Sequence, residues 1–219
     1  MKKMNGWFFE GSAEQNFIGH QAKEIYHDRI YAPFVEGKKD LTFLDLGANL
    51  GLVSYYFSQF AKKVFSVEPS AEHFACLSRM VSENKLEEII TPINKAIFIK
   101  SGKFPLFHNT NRTMRSLHMA VNDNSSPPEV VECITLDQLF DEYKIDHVDL
   151  LKLDIEGTEA EVLASEGFAK VADKIDLIVG EQHNWMGRNP QQLIDALESR
   201  GFIYSTISAE AKLFSAQKK

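Results

Sequence analysis

The stretch that decides the fold runs from Leu41 to Gly51 and reads LTFLDLGANLG. Its first six residues are mainly apolar, as in a buried strand, and Gly47 follows them directly. Beyond Gly51, apolar residues recur at the spacing of one helix face, at Val53, Tyr56, Phe57 and Phe60. The stretch therefore predicts a strand, a tight turn and a helix.

The same alternation continues along the chain. Further strands are predicted at Val64–Val67, Ile89–Ile93, Val130–Ile134, Val148–Leu153 and Ile175–Val179, with an antiparallel pair at Phe202–Ile207 and Lys212–Ser215. Helices are predicted to begin at Pro69–Ser70, to span Leu136–Tyr143, to run from a Thr158–Glu161 capping box to Gly167, and to run from Asn189 to Gly201. We expect an α/β fold with a doubly wound, mostly parallel sheet whose ligands bind at the carboxyl ends of the strands.

Two finer predictions concern the middle of the sheet and its margin. Val148–Leu153 (VDLLKL) is nearly all apolar, which is typical of a central strand covered on both faces. Residues 96–107 (AIFIKSGKFPLF) resemble a hairpin that turns at Ser101–Gly102.

Composition limits the class of protein. The 219 residues favour one domain, here 41–219, preceded by a helical leader or lid at 1–40. The formal charge of −7 argues against a nucleic-acid partner, and no apolar run is long enough for a signal peptide or membrane span. Two cysteines without metal-ligand spacing, Cys76 and Cys133, indicate reduced thiols. We expect a soluble, cytoplasmic monomer or homodimer.

An acidic residue ends the second predicted strand. Glu68 stands 21 residues after Gly47, the spacing at which a carboxylate accepts hydrogen bonds from an adenosine ribose. The turn reads G-x-N-x-G and lacks the G-x-G-x-x-G pattern that binds a pyrophosphate, so the phosphate-free S-adenosylmethionine fits better than NAD. The alternative is a tight turn with an incidental acid at position 68.

Three motifs together resemble one family. DLGANLG (Asp45–Gly51), VEPS (Val67–Ser70) and DLLKLDIEGTEAEVL (Asp149–Leu163) are similar to the signatures of the FkbM family of S-adenosylmethionine-dependent methyltransferases. The resemblance implies O-methylation of a hydroxyl, often on a natural product or a sugar. It also implies that the methionine and ribose are lined by Asp45, Gly47, Asn49 and Gly51, that Glu68 binds the ribose hydroxyls, and that the adenine is flanked by Pro69, Ser70, Lys95 and Ala96.

Carboxylates follow the predicted central strand. Asp154 and Glu156 come directly after it, where ligand-binding loops of such sheets lie, and we interpret both as catalytic. Asp154 is predicted to position the acceptor hydroxyl or the amino group of the cofactor. The alternative is that the two acids stabilise the N-terminus of the next helix, and Lys152 either neutralises them or acts in catalysis.

A histidine follows the next strand. Glu181-Gln182-His183 is predicted to emerge at the same edge, with His183 drawing off the acceptor proton. This interpretation needs no metal, but Asp154, Glu181 and His183 together are an alternative divalent-metal site that positions a diol. The simpler alternative for His183 is a hydrogen-bonded loop histidine, and His118 is the other histidine that we consider for the pocket.

The sequence leads to a small-molecule O-methyltransferase with a hydroxyl acceptor. Its rivals are a nicotinamide-dependent oxidoreductase and a catalytically silent cofactor-binding protein. We expect Asn109–Pro128 to be a mobile flap, and Trp7–Phe9 to cover the active site or to mediate self-association. Arg112 and Arg115 either contact an anionic acceptor or are simply solvated.

Overall fold

The protein is described from a computed structural model, which places residue 19 and residues 21–108, 115–117, 127–183, 189–208 and 212–219. Trp7–Phe9, Arg112, His118 and most of the predicted flap lie outside the described residues, as does the side chain of Arg115. The described part of the predicted leader, from residue 21 onward, contains two short helices.

In the described part of the chain, eleven strands form two sheets. Their bounds are β1 (Leu41–Leu46), β2 (Ala61–Val67), β3 (Ile90–Ile93), β4 (Ala96–Ile97), β5 (Gly102–His108), β6 (Arg115–Ser116), β7 (Glu129–Ile134), β8 (Leu150–Leu153), β9 (Leu177–Glu181), β10 (Phe202–Ser208) and β11 (Leu213–Lys218). The main sheet has the order β10-β11-β9-β8-β1-β2-β3, and the small sheet has the order β4-β7-β5-β6.

The main sheet confirms the predicted fold class. Strands β9, β8, β1, β2 and β3 run parallel, while β11 is antiparallel to β9 and β10 is antiparallel to β11. The predicted central strand, β8, lies in the middle of the seven, and its four residues are buried. Pro92 is tolerated because β3 is an edge strand of this sheet.

Helices cover both faces of the main sheet. Their bounds are α1 (Lys23–His27, π-helical), α2 (Ala32–Val35), α3 (Leu52–Phe57), α4 (Ala71–Glu83), α5 (Leu136–Glu142), α6 (Glu159–Ala164), α7 (Glu166–Ala169) and α8 (Pro190–Glu198), with a 3₁₀ turn at Ala172–Lys174. Helices α1 to α4 pack in one apolar core and α5 to α8 in the other. Alternate residues of a strand point into different cores. Leu150 packs in the core with α1 to α4, and Leu151 and Leu153 pack in the core with α5 to α8.

Two predicted helix starts are confirmed. The Ser70 side chain accepts from the His73 N–H at the start of α4, and the Asn189 side chain accepts from the Gln191 N–H at the start of α8. Helix α8 is followed by Gly201 with a φ of +81°. These starts were predictable because a cap depends on residues within a single turn.

Three local predictions are wrong. Thr158 precedes α6 but makes no side-chain cap, and the neighbouring Glu159 carboxylate accepts from the N–H groups of Ile155 and Gly157 in the loop before it. Gly167 lies inside α7 rather than ending a helix; a Cβ there would stand 2.9 Å from Asp137 Oδ1. Residues 96–107 form no hairpin, because β7 pairs with both β4 and β5 and separates them.

Among the described residues, none of the helices has the combination of length and apolar character that a membrane span requires.

Candidate functional site

A cavity of about 730 Å³ opens where the parallel strands end. Such a volume is typical of small-molecule and cofactor sites. Its walls include eight of the residues predicted from the sequence: Gly47, Asn49, Glu68, Pro69, Lys95, Ala96, Asp154 and Glu156. Lys152 and Glu181, which the sequence analysis considered as alternatives, line it too. Four predicted site residues do not line it: Asp45, Gly51, Ser70 and His183.

The glycine turn after β1 is shaped by the loop after β8. Gly47 has a φ of +82°, and a Cβ on it would lie 1.8 Å from the Asp154 carbonyl oxygen. The backbone of the two loops can meet only because this residue has no side chain. Gly51, with a φ of +87°, precedes α3 and faces the tips of Leu77 and Met80.

Glu68 is fixed by the loops on either side of it. Its Oε2 accepts from the Asn49 N–H at 2.8 Å, and its Oε1 accepts from the Ser70 N–H at 2.9 Å. The side chain of Asn94 donates to the carbonyl oxygens of Glu68 and Pro69, a contact that the sequence analysis did not identify. The carboxylate is therefore held in one position at the cavity wall.

Asn49 stands beside this carboxylate with its backbone in the left-handed region, at a φ of +52°. Its Oδ1 is buried and has no hydrogen-bond partner among the described residues. Buried polar atoms of this kind normally have a partner, so a ligand with hydrogen-bond donors fits this part of the cavity.

The adenine side of the predicted site is occupied by a charged residue that is already paired. Lys95 Nζ lies 2.7 Å from Glu142 Oε2 and 3.1 Å from Glu132 Oε1. Although burial works to lower the pKa of Lys95, these carboxylates raise it. Ala96 begins β4, which forms this wall.

A group of four side chains lies beneath the glycine turn, and we call it the buried network: Asp45, Ser54, Ser66 and Lys152. Ser54 Oγ donates to Asp45 Oδ2 at 2.6 Å, and Ser66 Oγ donates to Ser54 Oγ at 2.7 Å. Lys152 Nζ donates to the Gly47 carbonyl at 2.7 Å and forms an ion pair with Asp45 Oδ1 at 3.3 Å.

Lys152 also reaches the cavity wall. Its Nζ lies 3.2 Å from Asp154 Oδ2, so it neutralises Asp154 and Asp45 rather than Glu156. Burial works against the charge of Lys152, but the two aspartates outweigh it and raise the pKa of the ammonium group above its usual range. Lys152 therefore joins the ends of β1 and β8 electrostatically.

The residues predicted for catalysis do come together, in a group that we call the acidic cluster: Asp154, Glu156, Glu181 and His183. His183 Nε2 lies 3.4 Å from Glu156 Oε2 and 3.9 Å from Asp154 Oδ1. Glu181 Oε1 is also 3.9 Å from that nitrogen. The three carboxylates line the cavity, and the histidine does not.

Glu159 orients this histidine, and the sequence analysis missed it. Its Oε1 accepts from the N–H groups of Ile155 and Gly157 at 3.1 and 3.0 Å and lies 2.9 Å from His183 Nδ1. A glutamate in the first turn of a helix was the available signal, but only the fold shows that it faces His183.

The electrostatics of the cluster reflect an excess of negative charge. Burial, followed by the charge of Asp154, raises the pKa of Glu156 to about 8. Burial works to lower the pKa of His183, but the hydrogen bond to Glu159 and the nearby carboxylates outweigh it and raise the pKa to about 9. At neutral pH His183 is therefore protonated, and it must lose that proton before it can act as a base.

The leader contributes a wall that motifs did not reveal. Ile25 and Tyr31 line the cavity and are buried. The Tyr31 ring packs edge-on against Phe57 at 5.3 Å, which attaches the leader to α3. Packing of this kind leaves no local sequence pattern, because the partner is far along the chain.

Comparison with known proteins agrees with this geometry. The family model described as the methyltransferase FkbM domain matches residues 45–204. No curated protein matches the sequence.

Solved structures share the fold at low sequence identity. A precorrin-6y C5,15-methyltransferase from Geobacter metallireducens GS-15 is 12% identical, with a TM-score of 0.52 and coverage of 90% of this chain and 88% of that chain. A methyltransferase from Geobacter sulfurreducens is also 12% identical, with a TM-score of 0.52 and coverage of 98% and 92%. A ribosomal protein L11 methylase from Lactobacillus delbrueckii subsp. bulgaricus is 13% identical, with a TM-score of 0.51 and coverage of 91% and 80%.

The names of these neighbours specify different methyl acceptors, a precorrin in one case and a ribosomal protein in another. The neighbours therefore indicate the fold and not the substrate. The family match spans most of the chain and includes the glycine turn, Glu68 and the acidic cluster. The chain belongs to the FkbM methyltransferase family.

Proposed function

We propose that the protein is an S-adenosylmethionine-dependent O-methyltransferase that acts on a hydroxyl of a small molecule, such as a natural product or a sugar. One observation carries the proposal: a single cavity has the fixed Glu68 carboxylate on one side and the carboxylates of the acidic cluster on another. The first suits a nucleoside cofactor, and the second suits a hydroxyl that must lose a proton.

The residues on the cofactor side fit this ligand. Glu68 can accept hydrogen bonds from ribose hydroxyls, and the buried Asn49 Oδ1 can accept one from a ligand donor. Lys95 and Lys152, two cations in the cavity wall, are already engaged by carboxylates, which disfavours a pyrophosphate. S-adenosylmethionine, when bound, supplies a methyl group on a positively charged sulfur.

The chain's own residues then serve three purposes. The glycine turn and Glu68 hold the cofactor in place, while Tyr31 and Ile25 of the leader exclude water from the cavity. The acidic cluster orients the acceptor hydroxyl. The bound cofactor would supply its sulfonium methyl group to the acceptor oxygen and keep the electron pair on sulfur, and a carboxylate of the cavity wall would take the hydroxyl proton.

Titration calorimetry with S-adenosylhomocysteine and with NAD tests the cofactor. We expect S-adenosylhomocysteine to bind more tightly, and Glu68→Ala to weaken its binding by about 1 to 3 kcal/mol through loss of charged hydrogen bonds. Glu129→Ala is the matched control, because Glu129 also accepts a backbone N–H, from Ala71, but does not line the cavity.

Transfer of labelled methyl groups to a panel of hydroxyl compounds tests the reaction. Labelled methyl ethers are the expected product. Tighter binding of NAD would favour the oxidoreductase instead, and cofactor binding without transfer to any acceptor would favour a silent binding protein.

A further inference from the structure

The donor atoms of three acidic-cluster residues lie at distances that suit one metal ion. Asp154, Glu156 and His183 each offer a ligand atom, and these atoms lie within 4.8 Å of one another. Two ligands that are each about 2.1 Å from one ion stand roughly 3 to 4.2 Å apart. The 3.4 and 3.9 Å separations from His183 Nε2 fall within that range.

The histidine is oriented as a metal ligand would be. Its Nδ1 faces Glu159 Oε1 at 2.9 Å, so its Nε2 points to the carboxylates. Ligating histidines typically donate their second ring N–H to a carboxylate or carbonyl, which fixes the ring. Glu159 is itself fixed by two backbone N–H groups, so the ring has a rigid support.

Glu156 has a buried carboxylate oxygen that faces His183 Nε2 at 3.4 Å. Its Oε2 is buried and has no hydrogen-bond partner among the described residues. The residue is held with a φ of +55°, and its carbonyl accepts from Ser116 Oγ at 2.6 Å. A buried carboxylate oxygen without a hydrogen bond is costly, and a cation bound between it and His183 Nε2 would offset that cost.

Only one carboxylate oxygen of Asp154 faces Lys152, so the other oxygen can bind a metal ion. Oδ2 faces Lys152 Nζ at 3.2 Å, whereas Oδ1 faces His183 Nε2 at 3.9 Å. The lysine therefore neutralises one side of the aspartate without blocking the other.

A second group of metal-ligand type makes a useful contrast: His147, Asp149 and Asp176. Its His147 is exposed and already bonds Asp176 Oδ2 at 3.1 Å, and Asp149 accepts the Thr42 N–H. Its hydrogen bonds are made within the protein, and it lies outside the cavity, so it serves as a control.

We propose that Asp154, Glu156 and His183 bind a divalent cation of the Mn²⁺ type, and that this cation holds an acceptor with two neighbouring oxygen atoms. Two carboxylates and one imidazole favour Mn²⁺ over Mg²⁺, which prefers oxygen ligands alone. Three protein ligands leave about three positions of an octahedral ion for water or for the acceptor. A vicinal diol or a hydroxy-carbonyl compound is therefore the substrate class.

The cation defines how the proposed reaction begins, and to that extent the inference rests on the proposed function. Its positive charge makes a bound hydroxyl more acidic. The hydroxyl proton would leave to Glu181, a carboxylate of the cavity wall that is not one of the three ligands, while the O–H electron pair stays on the acceptor oxygen. Metal binding also displaces the proton from His183 Nε2.

Electron paramagnetic resonance with Mn²⁺ alone tests the site on the full chain after treatment with EDTA and dialysis. We expect one Mn²⁺ per chain, and at least tenfold weaker binding in E156Q and in H183Q. H147Q, the matched control, should bind as the wild type does. The absence of stoichiometric binding, or equal binding by E156Q, H183Q and wild type, would overturn the proposal.

Two further measurements keep the outcomes distinct. Circular dichroism shows whether each variant is folded. If E156Q or H183Q is unfolded, D154N is measured in its place, and it should also bind Mn²⁺ at least tenfold more weakly. S-adenosylhomocysteine binding is measured on the same samples in EDTA. If the protein binds the cofactor but not Mn²⁺, the metal site is refuted and the proposed function stands. If it binds Mn²⁺ but not the cofactor, the proposed function is refuted and the metal site stands.

Discussion

The buried network and the acidic cluster both lie at the ends of neighbouring strands, but they differ in how far their carboxylates are neutralised. In the buried network, Asp45 is met by Lys152 on one side and by the Ser54 hydroxyl on the other. In the acidic cluster, three carboxylates surround one histidine, so the acidic groups outnumber the basic one.

The difference separates residues that hold the fold from residues that meet a ligand. A compensated buried charge adds little net stability, but removing its partner is strongly destabilising. An uncompensated cluster at a cavity wall costs stability and is typical of functional sites. We therefore expect changes in the buried network to act on unfolding, and changes in the acidic cluster to act on pH dependence and binding.

The largest effect is expected for Lys152→Met. The substitution leaves Asp45 buried without its cation, so the free energy of unfolding should fall by about 3 to 5 kcal/mol. Urea denaturation measures the change. Lys170→Met is the control, since Lys170 forms an exposed pair with Asp137 and its loss should change stability little. Equal effects of the two variants would contradict the assigned role of Lys152.

A smaller effect separates the two glycines of the turn. Gly47→Ala would place a Cβ against the Asp154 backbone, which cannot easily move, so we expect a loss of about 3 kcal/mol. Gly51→Ala meets only the tips of Leu77 and Met80, and we expect about 1 to 2 kcal/mol from its positive φ. Thermal and urea unfolding of both variants would test this, and an equal loss would show that backbone contact at Gly47 is unimportant.

The acidic cluster should make stability fall as pH rises. Folding raises the pKa of His183 from 6.5 to about 9 and that of Glu156 from 4.5 to about 8, so the folded state holds more protons than the unfolded state. The stabilisation by His183 is complete below pH 6.5 and is lost through pH 9. In EDTA, we expect the free energy of unfolding to fall between these values, while the contribution of Glu156 is lost between pH 4.5 and 8.

The pH prediction has a direct control. Replacing both groups, as Glu156→Gln with His183→Gln, should flatten the curve between pH 6.5 and 9. A wild-type stability that rises over this range would refute the proposed protonation of the cluster.

The smallest effect is expected for Ser66→Ala at the far end of the buried network. Ser66 donates to the Ser54 hydroxyl and not directly to Asp45, so about 1 kcal/mol should be lost. Urea denaturation would show this as a fraction of the Lys152→Met effect. A loss as large as that of Lys152→Met would mean that the serines, and not the ion pair, hold Asp45.

Local signals predicted much of the fold. β1 was predicted to the residue, and the starts of α4 and α8 were predictable because Ser70 and Asn189 cap groups within one turn. The central position of β8 followed from its apolar sequence. The hairpin at 96–107 failed for the converse reason, because β7, which separates its two strands, lies more than 20 residues further along the chain.

By itself, the sequence determined the strand–turn–helix alternation, the glycine turn, the spacing to Glu68 and the family, since each depends on residue types at short, regular intervals. Only the tertiary structure decided which side chains face the cavity. It placed Asp45 and His183 outside the cavity lining, brought Glu159 beneath His183 and added Tyr31 from the leader. These contacts join residues that are distant along the chain, and pairings of that kind are set by the packing of the sheet and its helices, which no local pattern records.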